Sequence, residues 1–476
     1  MMQNMPYDAV FIGTGLLSLS AAAALTKKGK SVLVLDTTDL LKSTVPDPSF
    51  YFTLGPHLFF GFEKGGAMEG FFSELALPIP NLKNDGLIYQ KSIPSLQIVQ
   101  PSHRVNVYPE KEDYYDELKR EFGKQLLQIK SFLREIEGID LFFYPFLGRF
   151  SQLELHGVGD RLNEWTQRRD FLKAVHRHQT KSAPDLLEPF LFDKDFLEYL
   201  NLHALFAYKR HLSDISAYEL ILLISGLLRG AARMIGGCPT LIDFLQKLIK
   251  GWNGEVIQEK RITKVEMRGK RVVDGLRLDD GSLITGRTFI VSQFPSRPAV
   301  HFYYHIRGDL IPSPMRENLI MTWGKDPPKD FEDILILRLS LPEEEEAFPE
   351  GLRGLAVTAV LRPDTQIDQS RTEEIGGRIL DRLQWLIPFS ESVIREVGGA
   401  RLHHGVGTAE SRLVPLDMRR HWEANAKSVS MGALNYLQPR EVKNVFLLPP
   451  DTSDTIGWGA SFLGAMRLAD LIVASK

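Results

Sequence analysis

Cysteine is nearly absent from this chain, which carries one, Cys238, among 476 residues. A single cysteine excludes an intrachain disulfide and a cysteine-based zinc site, and it is typical of proteins from a reducing compartment. An excess of either charge is also lacking, since the formal net charge is −3. The chain therefore offers no basic balance of the kind that nucleic acid requires, and we expect no nucleic-acid partner.

Long hydrophobic runs are missing as well. The most apolar helical stretch, Leu220–Leu228, has about half the length needed to cross a bilayer. The N-terminal residues contain no basic stretch followed by an apolar one, so no signal peptide is predicted. We expect a cytoplasmic protein, with peripheral contact to a membrane surface left open. No metal-ligand cluster, nucleophile–base motif or P-loop occurs, so no metal site is predicted.

A strand, two glycines and a helix follow one another near the start of the chain. Ala9–Ile12 is apolar throughout, as is typical of a parallel strand covered on both faces. It leads through Gly13 and Gly15 into a helix rich in small residues, Ser18–Leu25. Gly13 permits a tight turn, and Gly15 lets the backbone approach a pyrophosphate lying on the helix N–H groups.

A second apolar strand, Val32–Leu35, ends in Asp36, which lies 21 residues after Gly15. A carboxylate at this spacing is placed to accept hydrogen bonds from a ribose diol. Two glycines alone are weak evidence, but their position between a strand and a helix, with this acid, predicts a dinucleotide-binding βαβ unit. The alternative is a tight strand–helix turn that holds no ligand.

Hydrophobic periodicity predicts further elements along the chain. Amphipathic or buried helices are expected over Tyr114–Gly138, Ser216–Ile235, Ile242–Lys250 and Arg371–Ile387, and strands over Ile334–Leu341 and Leu355–Leu361. The acidic run Glu343–Glu346 between these two strands is interpreted as a solvated loop.

Two later segments fit a dinucleotide-binding fold. Gly254–Pro295 alternates short strands with turns and closes with an apolar strand, Thr288–Ser292, which predicts a β-meander. The alternative for this segment is an ordinary set of antiparallel hairpins. Near the C-terminus, the strand Val445–Leu448 leads to an acid, a glycine-rich loop and a helix that begins at Gly459. The positive end of such a helix would face a second polar part of the ligand.

Together these pieces resemble the phytoene dehydrogenase-like branch of the FAD-dependent oxidoreductases, which includes carotenoid desaturases and isomerases. The resemblance covers nearly the whole chain. Beyond the βαβ unit it rests on TLGPHLFFG (Thr53–Gly61), MIGGCPTLIDFL (Met234–Leu245), the GLRLDDG…IVSQFP run and the C-terminal GASFLGAMRLAD.

The resemblance implies an α/β fold. An FAD-type Rossmann domain with three layers and a mostly parallel sheet would be joined by a discontinuous α+β substrate domain. The FAD-binding domain would comprise residues 1–85, 234–300 and 416–476, and the substrate-binding domain residues 86–233 and 301–415.

The resemblance also implies which residues hold FAD. Gly13, Gly15 and Asp36 would bind the pyrophosphate and the AMP ribose, with Leu16 and Ser18 in the first turn of the helix beside them. Ile262 would contact adenine through its backbone, and Asp451, Gly459 and Ala460 would approach the ribityl chain or the flavin. The implied activity is desaturation or cis–trans isomerisation of a hydrophobic, isoprenoid- or carotenoid-like substrate.

Three departures from the pattern favour an alternative function. Ser18 replaces the third glycine, Thr37–Leu54 contains no glycine, and Pro450, which has no N–H to donate, precedes Asp451. A flavin fold that has lost FAD would bind a lipid or a protein without redox chemistry, and in this the chain is similar to the dissociation inhibitors of prenylated small GTPases. A weaker alternative is a relative of the flavin amine oxidases, although Trp458 is the only obvious aromatic wall in the C-terminal segment.

Candidate active-site residues have structural interpretations too. A neutral imidazole at His57 would relay a proton or orient a polyene end, or it is simply a hydrogen-bonded structural histidine. Cys238 stands at a helix start, where a thiol can become reactive, but free cysteines are usually small buried hydrophobes. The aromatic residues at Phe50–Phe52, Phe59–Phe60 and Phe71–Phe72 either line an apolar tunnel or membrane contact, or pack in the core.

Overall fold

The computed structural model describes residues 5–36, 45–149, 173–174, 177–178, 180–258, 260–269, 271–293, 299–323, 334–361, 368–388, 394–398, 401–403, 426–431, 434–439, 442–450, 456–457 and 459–474. Its α-helices within these ranges are α1 (Leu16–Lys27), α2 (Ala67–Glu74), α3 (Lys111–Phe122), α4 (Leu126–Arg149), α5 (Ala183–Leu187), α6 (Lys194–Tyr208), α7 (Ala217–Arg229), α8 (Cys238–Gly251), α9 (Gln369–Leu386) and α10 (Gly459–Ala474).

The strands within the same ranges are β1 (Tyr7–Ile12), β2 (Val32–Asp36), β3 (Leu58–Phe59), β4 (Tyr89–Ser92), β5 (Leu96–Val99), β6 (Arg104–Val107), β7 (Ala231–Met234), β8 (Glu255–Gln258), β9 (Ile262–Arg268), β10 (Val272–Leu278), β11 (Leu283–Gln293), β12 (Ala299–Arg307), β13 (Asn318–Thr322), β14 (Ile334–Leu339), β15 (Leu352–Val360), β16 (Arg395–Glu396), β17 (Arg401–His403), β18 (Ala426–Met431), β19 (Leu434–Pro439), β20 (Val445–Pro450) and β21 (Ile456–Gly457).

A mostly parallel sheet forms the centre of the part that contains β1, α1 and β2. Its parallel strands lie in the order β20-β11-β1-β2-β8. Ile12 at the end of β1 pairs with Val291 on one side and Leu35 on the other. The β9–β10 meander pairs antiparallel with β11, and β19 and β18 continue antiparallel beyond β20. The carboxyl ends of β1, β2 and β11 therefore meet at one edge.

Alternation along β1 explains why this sheet has a layer on each face. Ala9 and Phe11 pack with α1, α2, α8 and α10 in one apolar cluster. Val10 and Ile12 point the other way and pack with the meander residues of β9 and β10. Successive residues of a strand face opposite sides, so an entirely apolar strand requires cover on both. The three-layer arrangement with a mostly parallel sheet agrees with the prediction.

A second, largely antiparallel sheet has the order β16-β12-β15-β14-β13-β5-β6, with β17 also paired to β12. Helices α3, α4, α6 and α7 cover one face through an apolar cluster that includes Ile320 and Ile336. Helix α9 covers the other face, where Ile375, Ile379 and Leu383 pack against the sheet. This sheet is thus also the middle of three layers.

A small sheet of order β21-β3-β7-β4 connects these two parts. In it, Leu58 of β3 pairs with Ile456 of β21, and Phe59 pairs with Ala232 of β7. Because β21 directly precedes α10, this sheet brings the segment after Gly55 close to the start of the C-terminal helix.

Two predicted helices differ from the structure. The stripe over Tyr114–Gly138 is divided into α3 and α4 by a 3₁₀ turn at Gly123–Gln125, which apolar periodicity does not register. The helix expected over Ser216–Ile235 ends at Arg229, and the residues after Gly230 form β7 instead. Pairing with β3 and β4 satisfies the backbone of β7, so tertiary hydrogen bonding prevails over helix periodicity there.

Candidate functional site

The turn between β1 and α1 has the geometry of a pyrophosphate-binding loop. Gly13 adopts a φ of 99°, which a residue with a side chain rarely reaches, and its N–H donates to the carbonyl of Leu35 at 3.0 Å. Gly15 is the N-cap of α1, and no side chain caps this helix or places an acid in its first turn. The first N–H groups of α1, beginning at Leu16, therefore have no intrahelical acceptor and face the carboxyl edge of the sheet.

Ser18, at the position of the third glycine, lies fully buried between α1 and β11. The hydroxyl of Ser292 at the end of β11 donates to the Ser18 hydroxyl at 2.8 Å. The serine thus replaces close glycine packing with a buried hydrogen bond, and α1 remains seated on the sheet.

Asp36 ends β2 beside the glycine turn and is 5% exposed. Its Oδ2 accepts hydrogen bonds from the Nε2 amide of Gln246 in α8 at 3.0 Å and from that of Gln258 in β8 at 3.2 Å. Gln258 is the direct partner of Asp36 across the parallel pair β2–β8. The two amides hold the carboxylate in a fixed place at the sheet edge, which suits recognition of a ribose diol. Neither glutamine was identified from the sequence, because an amide carries no motif by itself.

Ile262 begins β9, and its side chain is 3% exposed within the apolar cluster under the meander. The side chain is committed to the core. A contact between Ile262 and adenine would therefore come from the backbone, as the resemblance implies.

The C-terminal helix begins at Gly459, as predicted, and contains Ala460 in its first turn. Asp451 lies outside the described residues. Lys28, directly after α1, forms an ion pair of 2.5 Å with Asp470 of α10. Lys28 lies 12 residues after the start of α1, and Asp470 lies 11 residues after the start of α10. The two helices also pack against each other. At about 1.5 Å rise per residue, the two helices begin at a similar level, so both positive ends face the same edge.

His57 directly precedes β3, close to this edge, because Leu58 pairs with Ile456 just before α10. The side chain is partly buried, and its Nδ1 atom is buried with no hydrogen-bond partner among the described residues. Burial, followed by the positive charges of Arg338 and Lys209, lowers the pKa of His57 well below 6.5. The imidazole is therefore neutral near pH 7, and the lowered pKa makes it a weak base.

A cleft lies beside His57, with about 20 Å³ of free space at its base and about 280 Å³ when its open mouth is included. Its polar lining comes from Arg233 of β7, Asn318 of β13 and Arg338 of β14, together with Glu317 and Glu344. Its apolar lining includes Phe52, Met234, Leu339 and Leu341. We term these residues and His57 the arginine cleft.

Sequence reasoning missed this cleft. One signal was present: Arg338 interrupts the apolar strand ILILRL, in which every residue is buried, and a buried arginine needs a partner. The acidic run Glu343–Glu346 is exposed as expected except at Glu344, which is half-buried. Within the 3₁₀ turn Pro342–Ala347, Glu344 accepts hydrogen bonds from the N–H groups of Gly236 and Leu341 at 2.9 and 2.8 Å.

Two other features predicted from the sequence, the thiol of Cys238 and the cluster of aromatic residues, have structural roles. Cys238 is 1% exposed at the first position of α8, so its thiol is a core group. The phenylalanines among the predicted aromatic residues are buried as well: Phe71 and Phe72 pack with Phe462 of α10, and Phe50 packs against Tyr303. Apart from Phe52, which also lines the arginine cleft, these rings form cores rather than a tunnel wall or an exposed membrane contact.

Within the described residues, no group of three or more histidine, cysteine, aspartate or glutamate side chains is arranged to hold a metal ion. Over the same residues, no helix is both long enough and apolar enough to span a membrane.

The residues at the carboxyl edge fit a dinucleotide such as FAD. Uncapped N–H groups of α1 lack acceptors that a pyrophosphate would supply, and the fixed carboxylate of Asp36 stands on the neighbouring strand. The start of α10 adds a second positive helix end at the same edge.

Comparison with known families agrees with this geometry. Residues 12–75 match the family described as NAD(P)-binding Rossmann-like domain, a segment that includes α1, β2 and Asp36. No curated protein matches the chain in sequence.

Solved structures match over nearly the whole chain at low identity. An oxidoreductase from Methanosarcina mazei is 12% identical with a TM-score of 0.57, covering 97% of this chain and 99% of that one. A Rab GDI from Plasmodium falciparum is 12% identical with a TM-score of 0.54, covering 95% of each chain. Putrescine oxidase bound to putrescine is 13% identical with a TM-score of 0.51, covering 99% of each. The α/β, FAD-type Rossmann fold is thereby confirmed.

Proposed function

We propose that the protein is an FAD-dependent oxidoreductase. The observation that carries this proposal is the shared edge at which the uncapped α1 N-terminus, the fixed Asp36 carboxylate and the start of α10 meet. Bound FAD would supply the hydride acceptor, and the chain would supply binding, orientation and exclusion of water.

Each residue at the edge has a distinct task in this proposal. The N–H groups of Leu16 and its neighbours would hold the pyrophosphate, and Asp36 would accept hydrogen bonds from the AMP ribose. Gly459 and Ala460 would place the positive end of α10 against the flavin end of the cofactor. His57 is the candidate proton acceptor because of its position, directly before β3 and near the start of α10.

The proposed substrate is hydrophobic and isoprenoid- or carotenoid-like, with desaturation or cis–trans isomerisation as the reaction. This part of the proposal rests on the phytoene dehydrogenase-like resemblance of the sequence. The apolar part of the arginine cleft lining, which includes Phe52 and Met234, is compatible with an apolar substrate body. We also propose a cytoplasmic location, with the membrane surface as a possible source of such a substrate.

The test is cofactor binding by the purified full-length protein. FAD would be added, the unbound cofactor removed by dialysis, and bound flavin measured by visible absorbance. The proposal requires a stoichiometric flavin spectrum, and a protein that stays colourless after incubation contradicts it.

A pair of variants locates the cofactor. Asp36→Asn weakens FAD binding by about ten- to a hundredfold, because a hydrogen bond to a charged acceptor contributes about 1.5–3 kcal/mol. Asp8→Asn is the matched control, since Asp8 lies near the opposite end of the same sheet and binds Ser31 and Arg287. Equal FAD affinities for the two variants would refute the assigned site.

A second candidate function is a non-catalytic binder of a lipid or a protein on the same fold. The fold likeness to a Rab GDI and the absence of glycine from Thr37–Leu54 favour it. Stoichiometric flavin that an electron donor reduces would exclude it. The weaker amine oxidase alternative, consistent with the fold likeness to putrescine oxidase, predicts peroxide release with an amine substrate.

A further inference from the structure

The arginine cleft contains buried donors that lack acceptors. Among the described residues, Nδ2 of Asn318, Nη1 of Arg338 and both Nε and Nη1 of Arg233 have no hydrogen-bond partner. Asn318 is 5% exposed and Arg338 is 8% exposed. Buried donors are normally paired, and each unpaired one is costly. Three side chains with this deficiency line one cleft, so its donors outnumber the acceptors that reach them.

Register explains why two of these donors lie together. Asn318 of β13 and Arg338 of β14 are direct partners in an antiparallel pair, so their side chains emerge side by side on the same face. Arg233 reaches the cleft from β7 in the small sheet. Strands of two different sheets thus converge on one point.

The carboxylates of the cleft balance charge but supply only part of the acceptors that its donors need. Both oxygens of Glu344 already accept backbone N–H groups, from Gly236 and Leu341. Glu317 forms an ion pair with Nη1 of Arg233 at 3.5 Å, which leaves Nε of Arg233 without a partner among the described residues. Guanidinium groups remain protonated even when they are buried, so two positive charges face two negative ones.

We propose that the arginine cleft binds the carboxylate of an apolar carboxylic acid. A carboxylate offers two oxygens with about four lone-pair sites, which suits the amide and the two guanidinium groups. A phosphate dianion fits less well, because Glu317 and Glu344 would repel its second charge. Phe52, Met234 and Leu339 line the same cleft and would contact the apolar body of the acid.

The arginine cleft lies next to the proposed flavin site, so the bound acid would be the substrate. His57 lines the cleft and directly precedes β3, whose partner β21 leads into α10. The carboxylate would be anchored between the strands, and the apolar chain would extend past the neutral imidazole. The identity of the acid as substrate rests on the proposed flavin enzyme, whereas the binding site itself does not.

Calorimetric titration of the full-length protein with octanoate, octanol, octyl phosphate and inorganic phosphate tests the ligand class. We expect octanoate to bind about tenfold or more tightly than octanol, because a carboxylate accepts more hydrogen bonds than a hydroxyl and its charge strengthens them. Equal affinities for octanoate and octanol would overturn the proposal. Tighter binding of octyl phosphate or of inorganic phosphate would also overturn it.

Arg338→Met removes the central donor, with Arg307→Met as the control, since Arg307 is 54% exposed on the same sheet. Octanoate affinity should fall about tenfold or more in the first variant only. Unchanged affinity in a folded Arg338→Met protein would contradict the assignment.

A second variant, Asn318→Asp, tests the same site if Arg338→Met does not fold. The new carboxylate would stand opposite Arg338 and supply the missing acceptor within the chain. We expect a raised melting temperature together with loss of octanoate binding, a combination that a purely structural asparagine would not produce. Retained octanoate binding in this variant would overturn the proposal.

Octanoate binding, measured with and without FAD, distinguishes the proposed carboxylate site from the proposed flavin enzyme. Flavin binding without octanoate binding refutes the carboxylate site and leaves the flavin enzyme standing. Octanoate binding without flavin binding refutes the flavin enzyme and leaves the carboxylate site as that of a non-catalytic binder.

Discussion

The hydroxyl of Ser292 at the end of β11 donates a 2.8 Å hydrogen bond to the hydroxyl of Ser18 in the first turn of α1. Both residues are buried. In dinucleotide-binding folds a glycine at this position lets helix and strand approach closely. In this chain a polar contact performs that task, so the missing glycine does not imply a displaced helix.

Ser18→Ala is expected to destabilise the protein by about 1–2 kcal/mol, because it leaves the buried Ser292 hydroxyl without its acceptor. Ser18→Gly should cost still more, since glycine also weakens a helix interior by about 0.5–1 kcal/mol. Urea denaturation measures both changes. The double variant Ser18→Ala with Ser292→Ala should recover part of the loss, and strict additivity of the two single changes would contradict a direct bond.

The βαβ unit was predictable because its signals are local. The apolar strand, Gly13, Gly15 and the acid at Asp36 lie within one stretch of chain, and each has its own physical requirement. The partners of Asp36 were not predictable, since Gln246 and Gln258 reach it only through the α8 packing and the β2–β8 pairing.

The arginine cleft shows more clearly which features the sequence alone does not predict. Arg233, Asn318 and Arg338 come from three strands in two sheets, and only the register between β13 and β14 places two of them side by side. Sequence spacing carries no information on that register. An arginine inside an apolar strand indicated that a buried polar site exists, but not where its other members lie.

Gly237 beside the cleft provides a test of close backbone packing. Its φ is 76°, and a Cβ there would lie 2.5 Å from the carbonyl oxygen of Phe52. Gly237→Ala should therefore destabilise by about 3 kcal/mol or more, combining strain at positive φ with a backbone clash.

Gly281→Ala is the matched control, because Gly281 has a φ of 82° and open space around its Cβ position. Its cost should be only the conformational one, about 1–2 kcal/mol. Thermal or urea unfolding of both variants gives the difference. Equal losses would show that Phe52 does not restrict Gly237.

His203 should make the stability of the protein fall in mild acid. It is fully buried in α6. Burial lowers its pKa to about 4, and the contact of 2.9 Å between its Nδ1 and the carbonyl oxygen of Tyr199 opposes this shift only in part. The unfolded chain binds a proton near pH 6.5 and the folded chain does not, so stability is lost between pH 6.5 and 4. At pH 5 the loss from this residue is about 2 kcal/mol.

His203→Leu removes the titrating imidazole and places an apolar side chain in the core. The difference in unfolding free energy between pH 7 and pH 5 should therefore shrink by about 2 kcal/mol in the variant. Urea denaturation at the two pH values measures it. An unchanged pH dependence would show that His203 does not titrate in this window.

Lys28 links the two helices whose N-termini define the proposed FAD site. Its Nζ lies 2.8 Å from Glu74 and 2.5 Å from Asp470. Burial alone would lower the pKa of Lys28, but the hydrogen bonds to Asp470 and Glu74 raise it above 10.5. The link therefore stabilises the fold fully below pH 10.5 and is lost as the pH rises through the folded-state pKa.

Lys28→Met should lower the free energy of unfolding by about 1 kcal/mol near pH 7, a value that allows for the partial exposure of the ion pairs. The difference from the unmodified protein should narrow with added salt and above pH 10.5. FAD affinity should fall as well, because α10 loses its anchor beside α1 and its N-terminus is held less firmly at the sheet edge. Dialysis with FAD measures this effect, and unaltered affinity in a destabilised variant would show that the Lys28 ion pair does not position α10 for the cofactor.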